Sequence, residues 1–294
     1  MTTVTITAKK CNCMALDFLA YGFMQRALVA GTAAAICCAM VGLYLVLKRY
    51  SLFGDALSHM AFGGIALGYF LNIYPIWTAT VVSVSAAMGI TKLRKSTKIS
   101  GDAAIAVMLS GGLGMGVILV SASHGFTIDL FSFLFGSVLL NTVNDTLSFV
   151  GISCGVIAIL IAFRKQLLHF TFDEEQAKVN GVSVEKLNYL FIAIAAVTVI
   201  ITMRLVGILL ISALIVLPNI TSMMMGKGFK KTMIISVSLS VTATISGIII
   251  SYPLNLAPSG CIVMILVSMY VGTLLAKRSG LFFKKTMSHE IQRL

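Results

Sequence analysis

The chain has 294 residues, 58% of them hydrophobic and only 11% charged, with a formal net charge of +12. A water-soluble domain is about 45–50% apolar and about 25% charged, so the composition excludes an ordinary soluble enzyme or binding module and requires contact with lipid. Only helices and closed barrels satisfy their backbones in a bilayer. The period-two alternation of barrel strands is absent, so the expected fold class is all-α, a polytopic transmembrane helical bundle forming one domain over 1–294.

In chain order, the first segment carries no evident cleavable signal peptide. Lys9 and Lys10 precede an apolar stretch broken by Asp17, Gln25 and Arg26, without a small-residue cleavage site; residues 1–26 read as an N-terminal segment with an interfacial helix near 13–26. Cys11-Asn12-Cys13 has the ligand types for a soft metal but no further ligand nearby, and Cys37, Cys38, Cys154 and Cys261 lie in apolar runs as small hydrophobes. Apolar runs then recur near 27–47, 54–71, 76–91, 102–121, 143–163, 187–203, 205–224, 231–251 and 258–276. Each approaches the roughly 20 residues that cross the hydrocarbon core, which predicts about eight or nine spans. The count turns on Met203-Arg204, where the turn is so tight that the flanking runs are either two half-helices or one bent element. The run "DLFSFLFGSVLL" (129–140) is too short to cross and reads as re-entrant or interfacial.

Charge placement gives the orientation. Of the 22 lysines and arginines, all but Lys9, Lys10, Arg26 and Arg204 fall in or beside the connections 48–53, 91–100, 164–186 and 225–230 and the tail 277–294. The positive-inside rule makes that side cytoplasmic, and an odd span count puts the N-terminus outside. The basic excess is therefore a topology signal and not a footprint for nucleic acid.

No phosphate-binding G-x-x-x-x-G-K-[ST] loop occurs in the chain, and "GGLGMG" (111–116) lies mid-span without the lysine, where close helix packing explains it better. H-E-x-x-H and G-x-S-x-G are also missing, so the chain is not read as an enzyme. Uphill transport would need an ion gradient or an ATPase on another chain. Ionisable residues within the spans are few, and such residues mark function by default. Asp55 and His59, in "GDALSH" (54–59), stand four residues apart and so share one helix face. A carboxylate and an imidazole suit Mn²⁺, Fe²⁺ or Zn²⁺. The plainer reading makes Asp55 a helix cap bonded to the Ser58 amide, with His59 satisfied by a backbone carbonyl.

Further along, Asp102 opens a helix in "GDAA", and His124 and Asp129 read as outer-side loop polarity or docking surface for a binding protein, with an outer-face metal entry point as the alternative. His169 and His289 sit in basic cytoplasmic stretches and are read as solvated. Within 164–186, "DEEQAKVNGV" reads as a short helix with acids in its first turn and Asn180-Gly181 as its stop. Such a helix is either a linker or a docking element.

Taken together these stretches resemble the ABC-3 type permeases, the membrane subunits of bacterial manganese, zinc and iron importers, over roughly residues 14–276. "LVLKRYSLFGDALSHMAFGGIALG" (45–68) carries the resemblance most specifically, "FDEEQAKVNGVSVEKL" (172–187) resembles the cytoplasmic coupling segment, and "LVGILLISALIVLPNIT" (205–221) a late helix with a proline exit. "DLFSFLFGSVL" (129–139) fits an outer-side element, whereas "MAFGG" after His59 stands where the family more often has a proline-containing stretch. The resemblance implies an importer in the bacterial inner membrane with two copies of this chain, a cytoplasmic ATP-binding subunit that uses the ATP, and an extracytoplasmic metal-binding protein. It implies that Asp55 and His59 coordinate the passing metal ion, and that Asp173, Glu174, Glu175 and Gly181 shape the helix that couples to the ATPase. It implies no cofactor of the chain's own. An ion-coupled secondary transporter is the alternative; it predicts repeated halves, and no convincing repeat is visible. A scaffold would leave Asp55 and His59 indifferent to mutation.

Overall fold

In hydrocarbon an unpaired backbone group has no water to bond, so the apolar runs fold as helices. The computed structural model describes residues 21–97, 101–122, 143–172, 175 and 183–279. Among these residues lie ten numbered helices and no strand: α1 (Gly22–Leu47), α2 (Phe53–Phe70), α3 (Pro75–Thr97), α4 (Gly101–Ala122), α5 (Val143–Ala162), α6 (Arg164–Phe172), α7 (Val184–Val206), α8 (Ile208–Met224), α9 (Phe229–Leu254) and α10 (Pro258–Arg278).

The boundaries follow the hydropathy reading with three corrections. First, α1 begins at Gly22, so Gln25 and Arg26 belong to its first turns and not to an interfacial helix ending at 26. Second, the break between α7 and α8 falls at Gly207, with φ 89° and ψ 159°, and not at Met203-Arg204. Only glycine adopts that backbone without strain; its amide still donates to the Met203 carbonyl at 3.0 Å, and two separate helices result. Third, the connection starting at 164 opens with α6, which leaves α5 at 67° and buries Leu167 and Phe170. Among the described residues five helices are long and apolar enough to cross a membrane, or six if the bent α5–α6 pair counts as one span. By length and composition alone, the expected eight or nine are not reached: α3 and α8 hold only shorter apolar stretches, and the 18-residue α2 includes polar Asp55 and His59.

Two helices organise the packing. α1 runs through the core against α5, α7, α8 and α9, and it is buried largely through small residues such as Ala30, Gly31, Ala34, Ala35 and Gly42. α2 packs chiefly on α4 and α3, and also meets α7 and α8. Small residues allow close approach where van der Waals contact, not a hydrophobic driving force, holds helices together. A Cβ at Gly63 would stand 2.8 Å from the Gly112 carbonyl oxygen, and one at Gly116 would run into the Phe62 ring. On the α3 side a Cβ at Gly64 would reach the Ala79 Cα at 2.7 Å. The "GGLGMG" run is thus a packing element, as expected: Gly112 and Gly116 face α2, while Gly111 and Gly114 face open space.

At one end of the bundle an aromatic cluster joins four elements. Tyr44 lies 6.0 Å from Phe191 and 5.5 Å from Phe229, measured between ring centroids, and Phe172 lies 6.5 Å from Phe229. The Lys48 Nζ sits 3.0 Å above the Phe170 ring centre. The ends of α1, α6 and α9 therefore meet where the charge pattern puts the cytoplasm.

Candidate functional site

α2 starts at Phe53 after Leu52, which makes no side-chain cap bond. Asp55 therefore stands inside the first turn, where the positive end of the helix dipole favours a carboxylate. The expectation that Asp55 caps the helix from outside is corrected: the chain enters the helix two residues earlier. Ser58 is buried and its Oγ donates to the Gly54 carbonyl at 2.9 Å, within the same helix. The helix then runs unbroken through "MAFGG" to Phe70.

One turn separates Asp55 from His59, and the structure brings them together. The His59 Nε2 and Asp55 Oδ1 atoms are 3.7 Å apart, with side chains 19% and 30% exposed respectively. That separation exceeds the about 2.7–3.2 Å of an N–H···O hydrogen bond. On its other side, the buried His59 Nδ1 has no hydrogen-bond partner among the described residues. The Nδ1 atom is thus not satisfied by a backbone carbonyl among the described residues. Zn–N and Zn–O bonds are each about 2.0–2.2 Å, so a single ion on a bent path would fit between these two atoms. No group of three or more His, Cys, Asp or Glu side chains that could hold a metal occurs among the described residues. Among the described residues, Asp55 and His59 therefore stand as a pair without a third such side chain beside them.

Of the residues expected in the coupling helix, Glu175 has helical backbone and is exposed; Asp173, Glu174 and Gly181 lie outside the described residues, as do Cys11, Cys13, His124, Asp129, His289 and the 129–140 segment. His169 is exposed on α6, and α4 begins at Gly101, so Asp102 falls in its first turn. Two features escaped the sequence reading. α6 was signalled only by Leu167 and Phe170, spaced three apart within a basic stretch. The contact of Ile215 with Gly54 had no sequence signal, since it joins helices far apart in the chain.

A bundle of apolar helices, at least five of them long and apolar enough to cross a bilayer, defines a helical membrane protein. Residues 20–277 match the ABC 3 transport family, and the chain belongs to it. The chain is 33% identical over 244 residues to the "Manganese import system permease protein ScaB" of Streptococcus parasanguinis, covering 83% of this chain and 87% of that protein. It is 30% identical over 256 residues to the "Probable iron transport system membrane protein" of Haemophilus influenzae, covering 87% and 94%. The structure of PsaBC from Streptococcus pneumoniae in complex with Fab contains a chain of the same fold, with TM-score 0.79, 30% identity, and coverage of 89% of this chain and 94% of that one. Family and fold together make this a multi-pass membrane permease of the ABC class.

Proposed function

We propose that the chain is the permease subunit of an ATP-driven importer that carries a divalent transition metal ion (manganese, zinc or iron) across the bacterial inner membrane, with Asp55 and His59 as ligands on its path. The observation that carries this reading is the imidazole of His59: one nitrogen faces Asp55 at 3.7 Å, and the other is buried without a partner. A half-buried imidazole with unspent bonding capacity, one turn from a carboxylate, suits a transient ion better than a structural role. An import site must accept the ion yet release it, and two ligands per chain, completed by water or by a second copy, meet that demand.

The chain has no nucleotide loop, so the ATP is used by a separate cytoplasmic subunit, and an extracytoplasmic metal-binding protein delivers the ion to a pair of permeases. The segment 173–181 takes the role of coupling to the ATPase, through Asp173, Glu174, Glu175 and Gly181. Nine passes, made by every numbered helix except α6, put the N-terminus outside and all the strongly basic connections inside. Metal accumulation in cells lacking their own importers tests the reading. Asp55→Ala and His59→Ala should each abolish uptake while membrane abundance of the chain is unchanged; normal uptake by both variants would overturn the assignment.

A further inference from the structure

α8 carries Pro218 within its length, and a proline there removes one amide and leaves the Leu214 carbonyl without its helical partner. The next carbonyl, that of Ile215, is held by a side chain: the buried Asn219 Nδ2 donates to it at 2.7 Å. Asn219 is itself fixed from both sides. The Ser236 Oγ of α9 donates to the Asn219 Oδ1 at 2.6 Å, and the Ser222 Oγ donates to the Asn219 carbonyl at 2.9 Å. On the α1 side, Gly42 admits this turn so closely that a Cβ there would collide with the Ile215 carbonyl oxygen and stand 2.6 Å from the Asn219 Nδ2.

The backbone of Ile215 is thus locked against α1 and, through Asn219, tied to α9. Its side chain reaches α2: the Ile215 Cδ1 would lie 2.7 Å from a Cβ built at Gly54, the residue immediately before Asp55. A bonded buried polar network favours one packing arrangement, so the network holds the Ile215 backbone in place, and the Cδ1 at the end of its side chain fills the space beside the first turn of α2.

Resting on the metal-path reading of Asp55, we propose that Ile215, anchored by Asn219, is a positioning residue for transport. It sets where the first turn of α2, and hence the Asp55 carboxylate, stands relative to α1 and α8. Neither residue touches the ion. The effect passes through packing at Gly54.

The test uses the full chain with its ATPase and binding protein in a bacterium lacking its own metal importers. Mn²⁺, Zn²⁺ and Fe²⁺ are offered in turn, and accumulation is normalised to permease in the membrane. Gly54→Ala forces its new methyl against the Ile215 Cδ1 and should lower uptake by about tenfold, whereas Ile215→Val removes that one carbon and should bring uptake in the Gly54→Ala background back to within about twofold of the parent, the non-additivity expected of residues in contact. Asn219→Leu should lower uptake and remain non-additive with Gly54→Ala. Full uptake by Gly54→Ala, or no recovery with Ile215→Val, overturns the proposal, and this pair decides the matter even where Asn219→Leu fails to accumulate. Asp55→Ala is measured alongside. Its continued transport overturns the metal-path reading; its failure combined with an unimpaired Gly54→Ala overturns only the positioning role.

Discussion

Gly112 of α4 lies directly on the peptide of His59: a Cβ at position 112 would stand 2.6 Å from the His59 carbonyl carbon and 2.7 Å from its oxygen. The obstruction is backbone, which cannot rotate aside, so any side chain at 112 forces α4 and α2 apart at the level of the imidazole. Gly112→Ala should cost about 1–3 kcal/mol, the range for overpacking a well-filled contact, and should reduce metal uptake. Gly111→Ala and Gly114→Ala, whose added methyls meet open space, should leave both unchanged. Thermal unfolding in detergent, together with uptake normalised to membrane abundance, separates the cases. Equal behaviour of all three variants would contradict the close crossing.

Changing one ligand should change the preferred metal before it abolishes transport. Thiolates select softer ions, and carboxylates with imidazole accommodate harder ones. His59→Cys is therefore expected to raise the ratio of zinc to manganese accumulated by cells, while Asp55→Asn, which keeps the shape but removes the charge, should depress uptake of every divalent ion. Elemental analysis of cells given equimolar mixtures reads the ratio directly. An unchanged ratio in His59→Cys would place the ion elsewhere.

Much of this was legible in the chain itself. Hydropathy runs located nine of the ten numbered helices, with their ends placed to within six residues, because a backbone in lipid has no alternative to internal hydrogen bonding. The i,i+4 spacing put Asp55 and His59 on one face for the same geometric reason that now brings them to 3.7 Å. What the sequence hid was tertiary. The break at Gly207 depends on a backbone conformation that hydropathy does not encode, and the packing of Lys48 over the Phe170 ring joins residues far apart in the chain. Ile215 against Gly54 joins residues with no shared pattern. The Asp55–His59 pair was readable because it is local; its neighbours were not, because they come from other helices.

The Lys48–Phe170 contact yields a prediction about coupling. The Lys48 ammonium lies 3.0 Å above the Phe170 ring, and Phe170 belongs to α6, directly ahead of the proposed coupling helix. Lys48 also caps α1 at its C-terminal end, five residues before α2 begins. A cation over an aromatic face contributes about 0.5–2 kcal/mol. Phe170→Leu keeps apolar bulk but loses the ring face, and Lys48→Met keeps the stem but loses the charge. Each should lower metal uptake per ATP hydrolysed by the assembled transporter, and the double variant should be no worse than the poorer single one. Additive losses in reconstituted vesicles would show that the two residues act separately.

Gly207 makes the most stringent test of the fold between α7 and α8. Its φ of 89° and ψ of 159° fall in a region that is essentially closed to side chains other than hydrogen, where a forced residue costs about 1–3 kcal/mol. Gly226 also has a positive φ, 62°, but a Cβ there meets nothing within 4 Å. That φ lies in the left-handed range that asparagine tolerates, and Asn255 adopts it here with φ 49°. Gly226→Asn is therefore expected to be nearly neutral and Gly207→Asn clearly destabilising, although both replace a positive-φ glycine with the same residue. Gly207 is buried and Gly226 exposed, so a difference in unfolding midpoint reports backbone strain at the α7–α8 break together with the cost of burying the amide side chain there. If the two variants unfold together, the break does not have the backbone described, and α8 is not held in the register that brings Ile215 to Gly54.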